Sequence, residues 1–210
     1  MYLSRIPLDT TRRETVRALY APGMLHGAVE SAFPGEKERR LWRIDQLHGQ
    51  TYLLLLSAEK PDLSGVQAQF GFRNRGWKTK DYQPLLDRIR EGSRWRFRIV
   101  CNPTRSAPCG PGVRGRVEAI TVAPQQREWL VRQGQQHGFT VHEGEFDVIG
   151  SEWKRFRKGK ENGREVILLQ TMFEGFLTVT DAPAFAETLT NGLGRGKAYG
   201  MGMMTVMRDE

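Results

Sequence analysis

The sequence predicts an α+β protein made of two tandem ferredoxin-like (RRM-like) βαββαβ domains. Two observations carry this. Up to Ser57 the chain reads strand, helix, strand, strand, the first three-quarters of such a unit. The second half then runs strand, helix, strand, strand, helix, strand. The units are expected to meet near residue 93, giving domains over 1–92 and 93–210.

Each element has its own signal. Met1–Leu8 alternates apolar and polar residues, the period of a strand. Thr11-Arg-Arg-Glu14 has the form of a capping box opening a helix to Tyr20, and Pro22-Gly23 interrupts it. A second helix is expected over Met24–Phe33, burying Leu25, Ala28, Val29 and Ala32 at helical spacing. Leu41–Asp45 and Thr51–Ser57 flank His48-Gly49, a hairpin pattern. A fourth strand is expected near Val66–Phe72. Trp95–Cys101 alternates cleanly, with Arg94, Arg96 and Arg98 on its polar side. Thr104–Gly115, rich in Pro and Gly, reads as a mobile loop. A helix over Pro124–His137 buries Trp129 and Leu130. After it come a strand near Phe139–Val148, a hairpin across Trp153–Thr180, a helix over Pro183–Leu189 and a last strand, Gly202–Met207.

Composition narrows the partners. Hydrophobic residues make up 39% of the chain, which suits a folded core rather than a disordered tail. The longest apolar run, Tyr52–Leu56, falls far short of the roughly 20 residues that cross a bilayer. No secretory signal opens the chain, and two cysteines without a CxxC pair suit a reducing compartment, so a cytoplasmic protein with no membrane partner is expected. The net charge is +8, and 24 of the 32 basic residues are arginine. Arginine grips phosphate bidentately and stacks on bases, so nucleic acid is favoured as a polyanionic partner. Simple solubility is the alternative.

Four features carry possible chemistry. Gly192–Gly202 places five glycines in eleven positions, with Arg195 and Lys197 between them. Such backbone approaches phosphate closely, notably around Gly194 and Gly196. It fits neither a Walker A loop nor a dinucleotide fingerprint, and a structural turn is the alternative. Trp153–Arg164 carries six basic residues among twelve, closed by Asn162-Gly163, a hairpin-turn pair. A basic ribbon of this kind fits a nucleic-acid groove, with a solvated hairpin as the alternative. His26, His48, His137 and His142 show no metal-ligand spacing, so neither a metal nor a cofactor is expected. His48 and His137 read as surface residues. His26 is expected in the first turn of its helix, beside Tyr20 and the cluster Arg12, Arg13 and Arg17. A helix N-terminus and nearby cations both disfavour imidazolium, leaving a neutral ring able to take a proton. An exposed bystander is the alternative.

The ordered motifs Met1-Tyr-Leu-Ser-Arg, Leu25-His26 to Phe33-Pro34, Phe97–Pro103, Arg127-Glu-Trp129-Leu130, Phe173-Glu-Gly175, Asp181-Ala-Pro183 and Gly192–Gly202 span nearly the whole chain. Together they resemble the CRISPR-associated endoribonuclease of the type I-E system, the CasE family. The resemblance implies two ferredoxin-like domains and metal-independent cleavage of CRISPR precursor RNA beside the repeat stem-loop. It also implies the RNA 2′-OH as nucleophile and retention of the hairpin within the Cascade complex. By position His26 matches the catalytic histidine, as base for the 2′-OH or as acid for the leaving oxygen, and Tyr20 the helper tyrosine. Some relatives carry a lysine where this chain has Ser31. Implied RNA contacts are Arg155, Arg157, Lys158 and Lys160 on the hairpin, Arg127 and Arg132 on a helix, and Gly194, Arg195, Gly196 and Lys197 on the glycine loop. Arg12, Arg13 and Arg17 are candidates for the phosphate charge. A non-catalytic hairpin-binding subunit is the other reading.

Overall fold

Alternation along Tyr2–Pro7 (β1), Leu41–Leu47 (β2) and Gln50–Ser57 (β3) builds one antiparallel sheet with the short strand Lys78–Asp81 (β4). The computed structural model describes residues 1–33, 35, 38, 40–110, 112–113, 115–157 and 163–208. The strand order β2-β3-β1-β4 is that of a ferredoxin-like unit. Arg13–Tyr20 (α1), Pro22–Ser31 (α2) and Ser64–Phe70 (α3) cover one face, where Leu53 and Leu55 meet Ala18, Leu25, Val29 and Phe70. Leu54 and Leu56 point the other way, into a second core with Phe97, Ile99 and Leu130. Burial on both faces explains the unbroken Leu53–Leu56 run. Each such leucine contributes roughly 1.5–3 kcal/mol.

A short helix, Gln83–Leu86 (α4), leads to the second sheet. Its strands are Arg94–Cys101 (β5), Phe139–Thr140 (β8), Phe146–Arg157 (β9), Glu165–Val179 (β10) and Met204–Arg208 (β11). The order β11-β5-β10-β8, with β9 also pairing β10, repeats the first topology. Thr104–Ala107 (β6) and Arg116–Ala119 (β7) form a separate two-stranded sheet. Ala123–Gln136 (α5) and Ala182–Asn191 (α6) cover the second sheet through Trp129, Leu130, Phe185 and Leu189. The Asp181 carboxylate caps α6, accepting from Ala184 N at 2.9 Å.

One buried side chain ties the sheets together. Arg43 of β2 donates from Nη1 to the carbonyls of Arg98 (2.8 Å) and Met203 (2.7 Å). Its Nη2 donates to Thr205 Oγ1 at 2.8 Å, and Nε and Nη2 grip Asp45 at 2.8 and 2.7 Å. Arg43 is 1% exposed, so this joint is dry.

Several local expectations change. Helix α1 starts at Arg13 with Arg12 as an uncapped N-cap; Thr11 turns back to Asp9 Oδ1, its hydroxyl at 2.6 Å, and forms no capping box. Helix α2 starts at Pro22, whose fixed φ suits a first helical position, rather than at Met24. His26 therefore lies one turn inside the helix, beyond the first turn where the dipole acts strongly. The expected strand at Val66–Phe72 is largely α3, burying Val66 and Phe70 at i, i+4; the fourth strand is the polar edge segment β4. The expected loop Thr104–Gly115 contributes β6. The strand near Phe139–Val148 is two pieces, β8 and the start of β9. The hairpin at His48-Gly49 forms with both residues left-handed, at φ 50° and 75°. Asn162 of the Asn-Gly pair lies outside the described residues.

Candidate functional site

The glycine run folds into a turn that docks on the first domain. After α6, Lys197–Tyr199 forms one 3₁₀ turn between left-handed Gly196 and Gly200. A Cβ on Gly200 would lie 2.7 Å from the Trp42 ring, and one on Gly192 2.7 Å from a Leu41 methyl. These positions need glycine for conformation and for close approach, so the structural-turn alternative holds for them. The same packing has a second effect. It places the 3₁₀ turn against α2, the helix that carries His26. Arg195 is exposed and Lys197 half-buried on this loop, with Gly194 and Gly196 on either side of Arg195.

His26 is half-buried on α2. Tyr20 closes α1 and is 73% exposed, joined to α2 through Ala21 alone. Thr15 and Ala18 hold α1 to the core, leaving Arg13, Arg17 and Tyr20 along one exposed stripe at i, i+4, i+7. Arg12 is engaged differently: its Nη1 donates to the carbonyls of Ala68 (2.9 Å) and Gly71 (3.2 Å), joining α1 to the end of α3. Ser31 donates its hydroxyl to Ala28 O within α2 at 2.9 Å.

On the second domain, Arg155 and Arg157 share the outward face of β9 with Trp153, itself 55% exposed. Arg155 lies 3.7 Å from Glu165. Lys158 and Lys160 are outside the described residues. On α5, Arg127 pairs with Asp147 at 2.9 Å and Arg132 approaches Glu128 at 3.9 Å. The Val148 N–H, and then Arg127, hold the Asp147 carboxyl below the usual carboxylate range. The inward face of the ribbon seats on the glycine loop: Phe156 meets Tyr199 edge-on at 4.8 Å, and Gln170 Nε2 donates to Tyr199 O at 3.1 Å.

The structure thus brings together α1, α2, the glycine turn and the ribbon. Arg127 and Arg132 lie apart on α5. Of the residues placed in the junction, Gln170 carries no motif signal, while Lys154 and Tyr199 show only as members of the basic and glycine runs. Among the described residues no cluster of three or more His, Cys, Asp or Glu side chains gathers at metal-binding distance. His137, expected at the surface, is partly buried, its Nδ1 3.1 Å from Thr188 Oγ1. Burial first, and then the charge of Lys197, lower its pKa. No helix among the described residues is long and apolar enough to cross a membrane.

Known proteins match this chain end to end. The CRISPR-associated endoribonuclease Cse3 of Thermus thermophilus is 28% identical, over 98% of this chain and 99% of its own length. The Cascade subunit CasE of Escherichia coli is 26% identical, covering 98% of each. A solved structure of Cse3 bound to a 19-nucleotide RNA superposes with a TM-score of 0.82 at 26% identity, covering 99% of this chain and all of the other. With the same strand order in both halves and the sequence model for CRISPR associated protein fitting residues 1–208, the chain belongs to that family.

Proposed function

We propose that this chain is a metal-independent endoribonuclease that cuts CRISPR precursor RNA beside the repeat stem-loop and keeps the hairpin as a subunit of Cascade. The observation that carries this is its full-length likeness, in sequence and shape, to an endoribonuclease solved with RNA bound. In this reading the work divides between residues 1–92, which bring His26, and 93–210, which bring ribbon and glycine loop, and the protein acts in the cytoplasm.

In this reading the chemistry runs through His26. His26 takes the proton of the 2′-OH, whose oxygen attacks the adjacent phosphorus. The bond to the 5′-oxygen breaks, that oxygen takes a proton from water, the His26 imidazolium returns its proton to solvent, and a 2′,3′-cyclic phosphate remains. Holding these atoms in line supplies much of the rate, and the proton transfer about 10²–10⁴-fold. Tyr20 orients the scissile nucleotide, while Arg13, Arg17 and the glycine loop with Arg195 and Lys197 face the phosphate charge. Arg12 steadies this helix through its carbonyl contacts. The stem lies against Arg155, Arg157, Lys158 and Lys160, with Arg127 and Arg132 as a further surface. A-form RNA hides its base edges in a deep major groove, so shape and phosphate dominate this grip.

A second reading, a hairpin-binding subunit without turnover, is favoured by Ser31, whose hydroxyl stays within its helix where some relatives supply a cation. Incubating the purified protein with its own repeat RNA in chelator separates the two. The nuclease yields one cut with cyclic-phosphate and 5′-hydroxyl ends; bound but intact RNA supports the second reading.

A further inference from the structure

Between α1–α2 and strands β9–β10 opens a cleft of about 480 Å³, lined by neither His26 nor Tyr20 nor any of the arginines and lysines assigned to the RNA. Leu19, Pro22 and Leu25 form one wall, Ile149 and Met172 the other, and Tyr199 closes one end. A ligand pocket of this size, mostly apolar with a few polar groups, suits a flat organic ring. We propose that it receives the unpaired nucleobase next to the scissile phosphodiester, a reading that rests on the RNA-cleavage function above.

Position is the first argument. Pro22 lies one helical turn before His26, so their Cβ atoms are roughly 5–6 Å apart. Leu19 directly precedes Tyr20. A nucleotide presenting its 2′-OH or phosphate to His26 has its base at this cleft. Charge is the second. The cleft's two cations are already engaged: Arg43 by Asp45, Thr205 and two carbonyls, and Lys154 by Glu152 at 2.7 Å. Among the described lining residues a phosphate would find no uncommitted cation, whereas a base needs only stacking and an edge to hydrogen-bond. The third argument is unfilled polar capacity. Gln170 donates to Tyr199 O, and its Oε1 has no partner among the described residues. RNA-binding proteins hold splayed bases in this way, between apolar faces with polar groups at the edge.

The test uses the full-length protein and its repeat RNA, once the cut is mapped. Abasic substitution at each of the two nucleotides flanking the cut is compared with intact RNA. At one of the two, wild-type kcat/KM should fall about tenfold or more, while affinity for the bare hairpin is unchanged. Ile149→Trp, at a half-exposed edge of the cleft, should show a similar loss on intact RNA and little additional loss on abasic RNA. In uncleavable RNA, 2-aminopurine at that nucleotide should change fluorescence on binding. Normal cutting with less than a twofold abasic effect at both positions would overturn the inference and leave the nuclease reading standing. Failure to cut any repeat RNA would overturn both.

Discussion

Removing the Asp45 carboxylate tests how the two sheets hold together. Asp45 is 4% exposed and Arg43 1%, and Arg43 also reaches two carbonyls and a hydroxyl of the second domain. Asp45→Ala strands that guanidinium in a dry joint without its counter-charge. Losing one member of a buried pair costs about 3–5 kcal/mol. At about 2–4 °C per kcal/mol for a chain of this size, the melting temperature should fall by about 6–20 °C. Replacing both partners with apolar residues, Arg43→Met with Asp45→Leu, should recover a large part of the loss, because no unpaired charge remains. Glu165→Ala, which breaks an exposed pair with Arg155, supplies the control and should cost at most about 1 kcal/mol. The assay is thermal unfolding followed by circular dichroism and calorimetry. An Asp45→Ala melt within about 2 °C of wild type would refute the reasoning, since so small a shift corresponds to only about 1 kcal/mol.

Other consequences are as specific. His26→Ala should lower the single-turnover cleavage rate by about 10²–10⁴-fold with hairpin affinity retained; full activity would remove His26 from the mechanism. Reversing charge at Arg157 and Lys158 should weaken hairpin binding and flatten its salt dependence by about one unit of log–log slope per lost phosphate contact. An unchanged slope would move the RNA surface elsewhere. For His137, burial and Lys197 lower the folded pKa below its ordinary 6.5. The unfolded chain therefore binds the proton more readily, so His137's contribution is complete above about pH 6.5 and is lost as pH falls through the folded value. His137→Gln should show a shallower loss of stability on acidification, measured as melting temperature against pH; an acid limb as steep as wild type would contradict this.

The paired domain order was legible because its strongest signals are local periods. Trp95–Ile99 alternates residue by residue, with only the buried Val100 breaking the pattern before Cys101, and His48-Gly49 marks its hairpin through backbone that few residue pairs adopt. Errors arose where one pattern serves two structures. Val66, Ala68 and Phe70 alternate as a strand would, yet Val66 and Phe70 are also one helical turn apart, and packing under α1 and α2 selects the helix. Strand β4, Lys-Thr-Lys-Asp, has no apolar residue to announce it, because its place is a sheet edge. The capping box failed because the Asp9 carboxylate captured Thr11 first. At the site, His26 and the glycine run stood out in the sequence, but the docking of that run on the helix that carries His26 did not. It depends on contacts of Leu41 and Trp42 with Gly192 and Gly200, some 150 residues away along the chain. Gln170 was invisible for the same reason, and Lys154 showed only as one cation of the basic run, because the inward faces of β10 and β9 are set by tertiary pairing.

The most direct test of the mechanism is a single-atom change in the RNA. With the cut mapped, repeat RNA carrying a 2′-deoxy sugar at the cleaved nucleotide is incubated with the protein in chelator, and both binding and cleavage are measured. Unchanged hairpin affinity with cleavage abolished is the predicted result. Cutting of the deoxy substrate at the normal rate would contradict attack by the RNA's own hydroxyl, and with it the role given to His26.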